Sequence, residues 1–120
     1  MDKDQAKKAL AQLDYDISTA KDIIAGLEQK KQAIKADISQ ITTSKKNRLE
    51  QWQKDINGTQ NAQQKKRKRD ARDRGKKSYD ARINIKKKQI ENFNTRIADE
   101  RKKISERDKM KKAVKLDQAN

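Results

Sequence analysis

Residues 10–41 read LAQLDYDISTAKDIIAGLEQKKQAIKADISQI, and the spacing of their apolar side chains decides the fold. The steps alternate between three and four residues, from Leu10 and Leu13 to Ile38 and Ile41. Such a repeat predicts a long α-helix whose apolar stripe, here called the seam, packs as a left-handed coiled coil. The repeat continues on both sides, so we predict a first helix over about residues 3–56.

The two ends of this helix carry their own signals. Asp2 and Gln5 have the spacing of a capping box, in which each side chain accepts a hydrogen bond from the other residue's backbone amide. Near the other end, steps of four, four, three and four residues from 41 to 56 shift the phase of the seam. Asn57-Gly58 is then the clearest turn signal in the chain. Lys31 and Lys45 lie at seam positions, where they either fix the register or extend their charged ends to water.

A second periodic stretch predicts a second helix over about residues 79–116. Isoleucine recurs at intervals of seven residues, and the alternate seam positions are partly charged, as at Lys86, Glu100 and Arg107. The isoleucines are Ile83, Ile90, Ile97 and Ile104. We therefore expect an all-α fold: a single, elongated, antiparallel coiled-coil helical hairpin over residues 1–120, with two helices of which the first is about 80 Å long.

Between the two patterns lies Lys65–Lys77, KKRKRDARDRGKK, here called the basic stretch, with a local formal charge of +7. We predict a polar and basic connector over residues 57–78 that could become helical when bound, which places Ile56 opposite Tyr79. In the alternative register the chain bends at Asn57-Gly58 and the basic stretch faces residues 38–52. We favour the connector because the alternative buries apolar side chains against Lys and Arg.

The seam buries too few apolar side chains to offset by much the conformational entropy lost in ordering two long helices. We therefore expect oligomerisation or a host assembly to support the hairpin. Apolar side chains that lie off the seam indicate a second contact surface. We predict that they bind protein partners: Tyr15, Ile23, Ile85 and Leu116.

The net charge of +15 is concentrated in the second half of the chain. Residues 1–64 hold 11 basic and 9 acidic side chains, and residues 65–120 hold 22 and 9. This asymmetry indicates an anionic partner, of which nucleic acid, bound non-specifically through its phosphates, is the first candidate. Another polyanion, an acidic protein surface or a purely solubilising role are the alternatives. The predicted binding residues are Lys65, Lys66, Arg67, Lys68, Arg69, Arg72, Arg74, Lys76 and Lys77.

The composition argues against several other classes of function. The chain has no His and no Cys, which removes the commonest metal ligands, general base and nucleophile, so we expect no enzyme activity, metal, cofactor or small-molecule substrate. No apolar run approaches the roughly 20 residues of a membrane span, and no signal peptide is evident. We expect a soluble, intracellular protein that makes no contact with membranes. KKRKR also matches a basic nuclear-import signal.

In outline the chain resembles the antiparallel hairpins of secretion-system and rotary-ATPase stalks, and small basic accessory proteins of phage and viral particles. The likeness rests on architecture and charge, without a shared residue motif. We therefore expect a non-enzymatic structural component that binds nucleic acid and docks on protein in a large nucleoprotein assembly, such as a virion. The alternative is a coiled-coil adaptor or stalk that acts through protein contacts alone.

Overall fold

The computed structural model describes residues 1–119, which form two α-helices, α1 (Lys3–Asn57) and α2 (Ala62–Ala119). These residues contain no β-strand. The chain is an all-α helical hairpin, as predicted. Its contacts divide it into two compact units, one of residues Gln32–Ile90 and the other of Met1–Lys31 with the segment that begins at Glu91.

Side-chain caps define where both helices begin. The predicted capping box is present: the Gln5 amide donates to Asp2 Oδ1 at 2.8 Å and the Asp2 amide donates to Gln5 Oε1 at 3.2 Å. At the start of α2, the Gln64 amide donates to Asn61 Oδ1 at 3.1 Å. Asn61 is therefore the N-cap of α2, and it orients the first turn of the helix that contains the basic stretch.

The predicted connector over residues 57–78 and the register that it implied are wrong. α2 begins at Ala62, not near residue 79, and the whole basic stretch is helical. Lys68 Nζ donates to Asp55 Oδ1 at 3.0 Å and to Thr59 Oγ1 at 2.9 Å, so the basic stretch packs against the end of α1. The alternative register is thus nearer the structure, although the basic stretch contacts the last turns of α1, at Trp52, Gln53 and Asp55, and not residues 38–52 as a whole.

Long aliphatic stems explain why this packing is tolerated. Ile56 is only 2% exposed, and the half-buried residues of α2 at this level are Lys65, Lys68 and Arg72. Side chains of this kind can pack their apolar methylene stems against a core while the charged ends stay polar-bonded, and here the charged end of Lys68 reaches Asp55 and that of Arg72 reaches Gln53. Lys, Arg, Gln and Ala are also good helix formers, so the segment needs no apolar seam of its own to be helical.

Within the unit Gln32–Ile90, both helices shift the phase of their seams. In α1, Leu49 is half-buried and Arg48 is exposed, which confirms the shift read from the sequence. In α2, the half-buried residues Gly75, Tyr79 and Ile83 follow one another at steps of four. An added four-residue step in one helix alone would unwind it relative to its partner, whereas matched steps keep the seams together.

Lys45 joins the helices next to these phase shifts. Its ammonium lies 2.6 Å from Asp80 Oδ1, and its side chain is 23% exposed. A second ion pair of the same unit joins Lys86 and Asp37 at 3.4 Å. The sequence left open whether the seam lysines fix the register or extend their charged ends to water. Lys45 pairs across the hairpin, which is the arrangement that fixes the register. Lys31 differs, because its ion pair is with Glu28 of its own helix at 3.6 Å.

The unit of Met1–Lys31 and the segment from Glu91 buries Ile17, Leu27 and Ile97 between its two helical segments. Ion pairs flank this core, of which Arg107–Asp16 measures 3.6 Å and Arg101–Glu28 measures 3.7 Å. Lys111 Nζ lies 2.5 Å from Asp14 Oδ1, and this hydrogen bond to a carboxylate raises the pKa of Lys111 above its ordinary value of 10.5.

Candidate polyanion-binding surface

The nine basic residues predicted to bind a polyanion fall into two groups on α2. Three of them, Lys65, Lys68 and Arg72, are half-buried on the side that faces α1. Lys68 is held by Asp55 and Thr59, and the Arg72 guanidinium by Gln53 at 3.0 Å and Asp73 at 3.2 Å. The contacts of Lys68 and Arg72 are structural, and they leave these two cations less free to meet phosphate.

The other six basic residues are exposed: Lys66, Arg67, Arg69, Arg74, Lys76 and Lys77. Throughout the described part of the chain, none of these six lies within 4.0 Å of a carboxylate oxygen. Lys66 to Lys77 span about 16 Å of helix at 1.5 Å per residue. A compact set of unpaired cations therefore lies on one rigid element.

The six cations occupy three rows on the exposed side of α2. At about 100° per residue, Arg67 and Arg74 form one edge of this surface, and Arg69 with Lys76 form the other edge, about 160° away around the helix axis. Lys66 and Lys77 lie on the crest between the edges. The same projection places two acidic residues on the crest beside these lysines, Asp70 and Asp73. Each edge thus carries two positive charges, whereas the crest is formally neutral.

Each of the two aromatic residues near the basic stretch has an arginine guanidinium over its ring. Trp52 is half-buried, with the Arg48 guanidinium 5.0 Å from its ring centroid. Tyr79 is also half-buried, with the Arg82 guanidinium 5.9 Å from its ring centroid. Each ring thus already has a guanidinium over one face, unlike the free aromatic platforms on which unpaired bases stack in single-strand-binding proteins.

Gly75 allows the basic stretch to lie close to α1, a role that the sequence pattern did not predict. A Cβ atom placed on Gly75 would overlap Trp52 Cη2 and would fall 2.8 Å from Trp52 Cζ3. The indole therefore occupies the space that a side chain at residue 75 would need. A glycine in an otherwise strong helix-forming segment was the available signal, because glycine there costs about 1 kcal/mol relative to alanine.

No protein-family model, curated protein or solved structure matches this chain. Two features of the described residues, 1–119, bear on other classes of site. Neither helix there has an apolar stretch long enough to cross a membrane. Those residues also contain no group of three or more His, Cys, Asp or Glu placed to hold a metal ion.

The four residues predicted to bind protein are all exposed. Tyr15, Ile23, Ile85 and Leu116 keep 66%, 39%, 59% and 65% of their surface accessible. Tyr15 and Ile23 line one groove of about 200 Å³, which Glu100, Lys103 and Arg107 border from α2. Ile85 lies in the unit Gln32–Ile90, and Leu116 is not among the residues of the groove. The structure thus brings two of the four together.

Proposed function

We propose that this protein is a non-enzymatic structural component that binds nucleic acid non-specifically through the exposed cations of its basic stretch. The single observation that carries the proposal is the set of six exposed cations without ion pairs on one helical surface. Such cations neutralise backbone phosphates and release condensed counterions, which favours binding without regard to base sequence. An unpaired cationic surface of this density is costly to a fold through self-repulsion, and phosphate removes that cost.

The proposal includes a protein-docking role in a large nucleoprotein assembly such as a phage or viral particle. The groove lined by Tyr15 and Ile23 supports it, because exposed apolar side chains that share a concave surface are typical of contact sites. On this view, one part of the chain contacts the polyanion and another contacts the protein shell or scaffold.

A charge-matched pair of variants tests nucleic-acid binding. The first replaces the six exposed cations of the basic stretch with Gln. The control replaces six exposed lysines of α1 that form no ion pair in the described structure, which are Lys3, Lys7, Lys8, Lys21, Lys30 and Lys35. Each variant lowers the net charge by six, so a difference between them reports position and not total charge.

We expect the α1 variant to bind a labelled 20-base-pair DNA at about 50 mM salt nearly as well as the unchanged protein. The basic-stretch variant should lose at least two orders of magnitude in affinity, since each lost phosphate contact removes one counterion-release contribution. Circular dichroism checks that both variants remain helical. Equal losses in the two variants, or no binding by the unchanged protein, would refute the proposal.

A second candidate function is that of a coiled-coil adaptor that acts through protein contacts alone. The exposed Tyr15 and Ile23 in one groove favour it. Tyr15→Glu together with Ile23→Glu should then release the tagged chain from the large particles of its source cell. The basic-stretch variant should stay in those particles. Sedimentation through a sucrose gradient measures both, and the reverse pattern would favour the nucleic-acid role.

A further inference from the structure

Resting on the proposed function, we infer that the nucleic acid is double-stranded DNA, with α2 placed in the major groove so that each edge of the basic stretch meets one phosphate backbone. Arg67 and Arg74 lie on one edge and Arg69 and Lys76 on the other, with the neutral crest between them. An α-helix with its side chains is about 10–12 Å wide, and the major groove of B-form DNA is about 12 Å wide.

The acidic residues of the crest argue against a single strand. A single phosphate backbone that followed the crest would pass Asp70 and Asp73, whose carboxylates repel it. Two backbones at the edges avoid both carboxylates, which then lie over the floor of the groove. The crest has few donors suited to reading bases in sequence, which agrees with non-specific binding.

The helical structure of the basic stretch and the surroundings of the two nearby aromatic residues also favour a duplex over a single strand. The basic stretch lies inside one continuous helix, α2 (Ala62–Ala119), and Gly75 seats it closely on Trp52. Its cations therefore keep fixed spacings that suit a regular duplex. The half-buried Trp52 and Tyr79 each have an arginine over the ring, which disfavours them as stacking platforms for unpaired bases.

The test compares three labelled 20-nucleotide probes by fluorescence anisotropy: double-stranded DNA, single-stranded DNA and double-stranded RNA. We expect double-stranded DNA to bind about tenfold more tightly than single-stranded DNA near 0.1 M salt, because a duplex releases more counterions per contact. Double-stranded RNA should bind more weakly than double-stranded DNA, because the major groove of an A-form helix is too narrow to admit the helix.

Paired variants test the arrangement of the edges. Arg67→Gln with Lys76→Gln removes one cation from each edge, and Lys66→Gln with Lys77→Gln removes the same charge from the crest. On double-stranded DNA, the edge variant should lower the slope of log K against log salt by about 1.8, and the crest variant by clearly less.

The possible results distinguish a failure of this inference from a failure of the proposed function. Equal or tighter binding of single-stranded DNA overturns the inference and leaves nucleic-acid binding in place. Equal binding of the two duplexes, or equal slopes for the edge and crest variants, overturns the placement in the major groove. Failure of all three probes to bind overturns the proposed function itself.

Discussion

At the scale of the residue, the contact of Gly75 with Trp52 has the largest consequences. Glycine destabilises the interior of a helix because it has the most backbone freedom to lose. At residue 75 the missing Cβ makes room for the indole of Trp52, over which the Arg48 guanidinium lies at 5.0 Å. The intrinsic cost of the glycine is therefore offset by packing that holds the basic stretch against α1.

Gly75→Ala should lower the free energy of unfolding by about 1–3 kcal/mol, the usual cost of overpacking a close contact. The added methyl group would force the half-buried indole of Trp52 out of its place. Gly26→Ala is the matched control, because Gly26 is also helical and a Cβ atom added there would have nothing within 4 Å of it. That change should raise the free energy of unfolding by about 0.5–1 kcal/mol through helix propensity alone. Urea unfolding followed by circular dichroism measures both, and a stabilising effect at both glycines would contradict the packing role of Gly75.

At the scale of the element, the beginning of α2 decides where the basic stretch lies. Asn61 ends the bend and accepts a hydrogen bond from the Gln64 amide, while its own carbonyl accepts one from the Lys65 amide at 2.9 Å. The first turn of α2 has no acidic residue to complement the helix dipole. The side chain of Asn61 is thus the main local support for the first turn, which leads directly into the basic stretch.

Asn61→Ala should cost about 1 kcal/mol of unfolding free energy and should fray the first turn of α2. Asn92→Ala serves as the control, because Asn92 is an exposed residue in the interior of the same helix. There alanine is the better helix former, so stability should stay equal or rise by up to about 0.7 kcal/mol. Amide hydrogen exchange at residues 63–66 reports the fraying directly. Unchanged protection of these amides in the Asn61 variant would show that the cap is dispensable.

The sequence predicted α1 well because its capping residues and the spacing of its apolar side chains indicate the same helix. The capping box at Asp2 and Gln5, the seam and its shift at Leu49 all appear in the structure. Helix α2 was harder to place because its first turns have no apolar stripe, so periodicity could not detect them. The connector was favoured because apolar side chains of α1 were not expected to pack against Lys and Arg. Asn61 with Gln64 as a cap, and strong helix formers after it, were the signals that could have placed the start of α2.

The candidate surface was predictable as a set of residues but not as an arrangement. The cluster of nine basic residues is plain in the sequence. Which of them turn toward α1 depends on the register, and the register depends on Gly75, Trp52 and the pairing of Lys45 with Asp80. These contacts join residues far apart in the chain, so local patterns could not separate Lys68 and Arg72 from the exposed six.

At the scale of the whole molecule, acidic residues of α1 pair with basic residues of α2, although both helices carry a net positive charge. α1 holds 11 basic and 8 acidic residues, whereas α2 holds 22 and 9. Among the described residues, six ion pairs join side chains of α1 and α2, and five of them place the acid on α1. The hairpin therefore uses part of the positive charge of α2 for folding and leaves the rest to solvent or to a polyanion.

This division of charge predicts opposite effects for two variants that each remove two cations from the basic stretch. Lys68→Gln with Arg72→Gln removes cations held by α1, so it should lower the free energy of unfolding by up to about 1–2 kcal/mol. It should change the slope of log K against log salt for duplex DNA by well under one unit. Arg67→Gln with Arg69→Gln removes one exposed cation from each edge, so it should keep stability within about 0.5 kcal/mol. Its slope should become shallower by up to about 1.8, the value for two lost phosphate contacts.

Urea unfolding and anisotropy titrations on the same preparations measure the free energy of unfolding and the salt slope of DNA binding. Similar losses of slope in both variants would show that the half-buried cations also reach phosphate and that folding and binding share one set of charges.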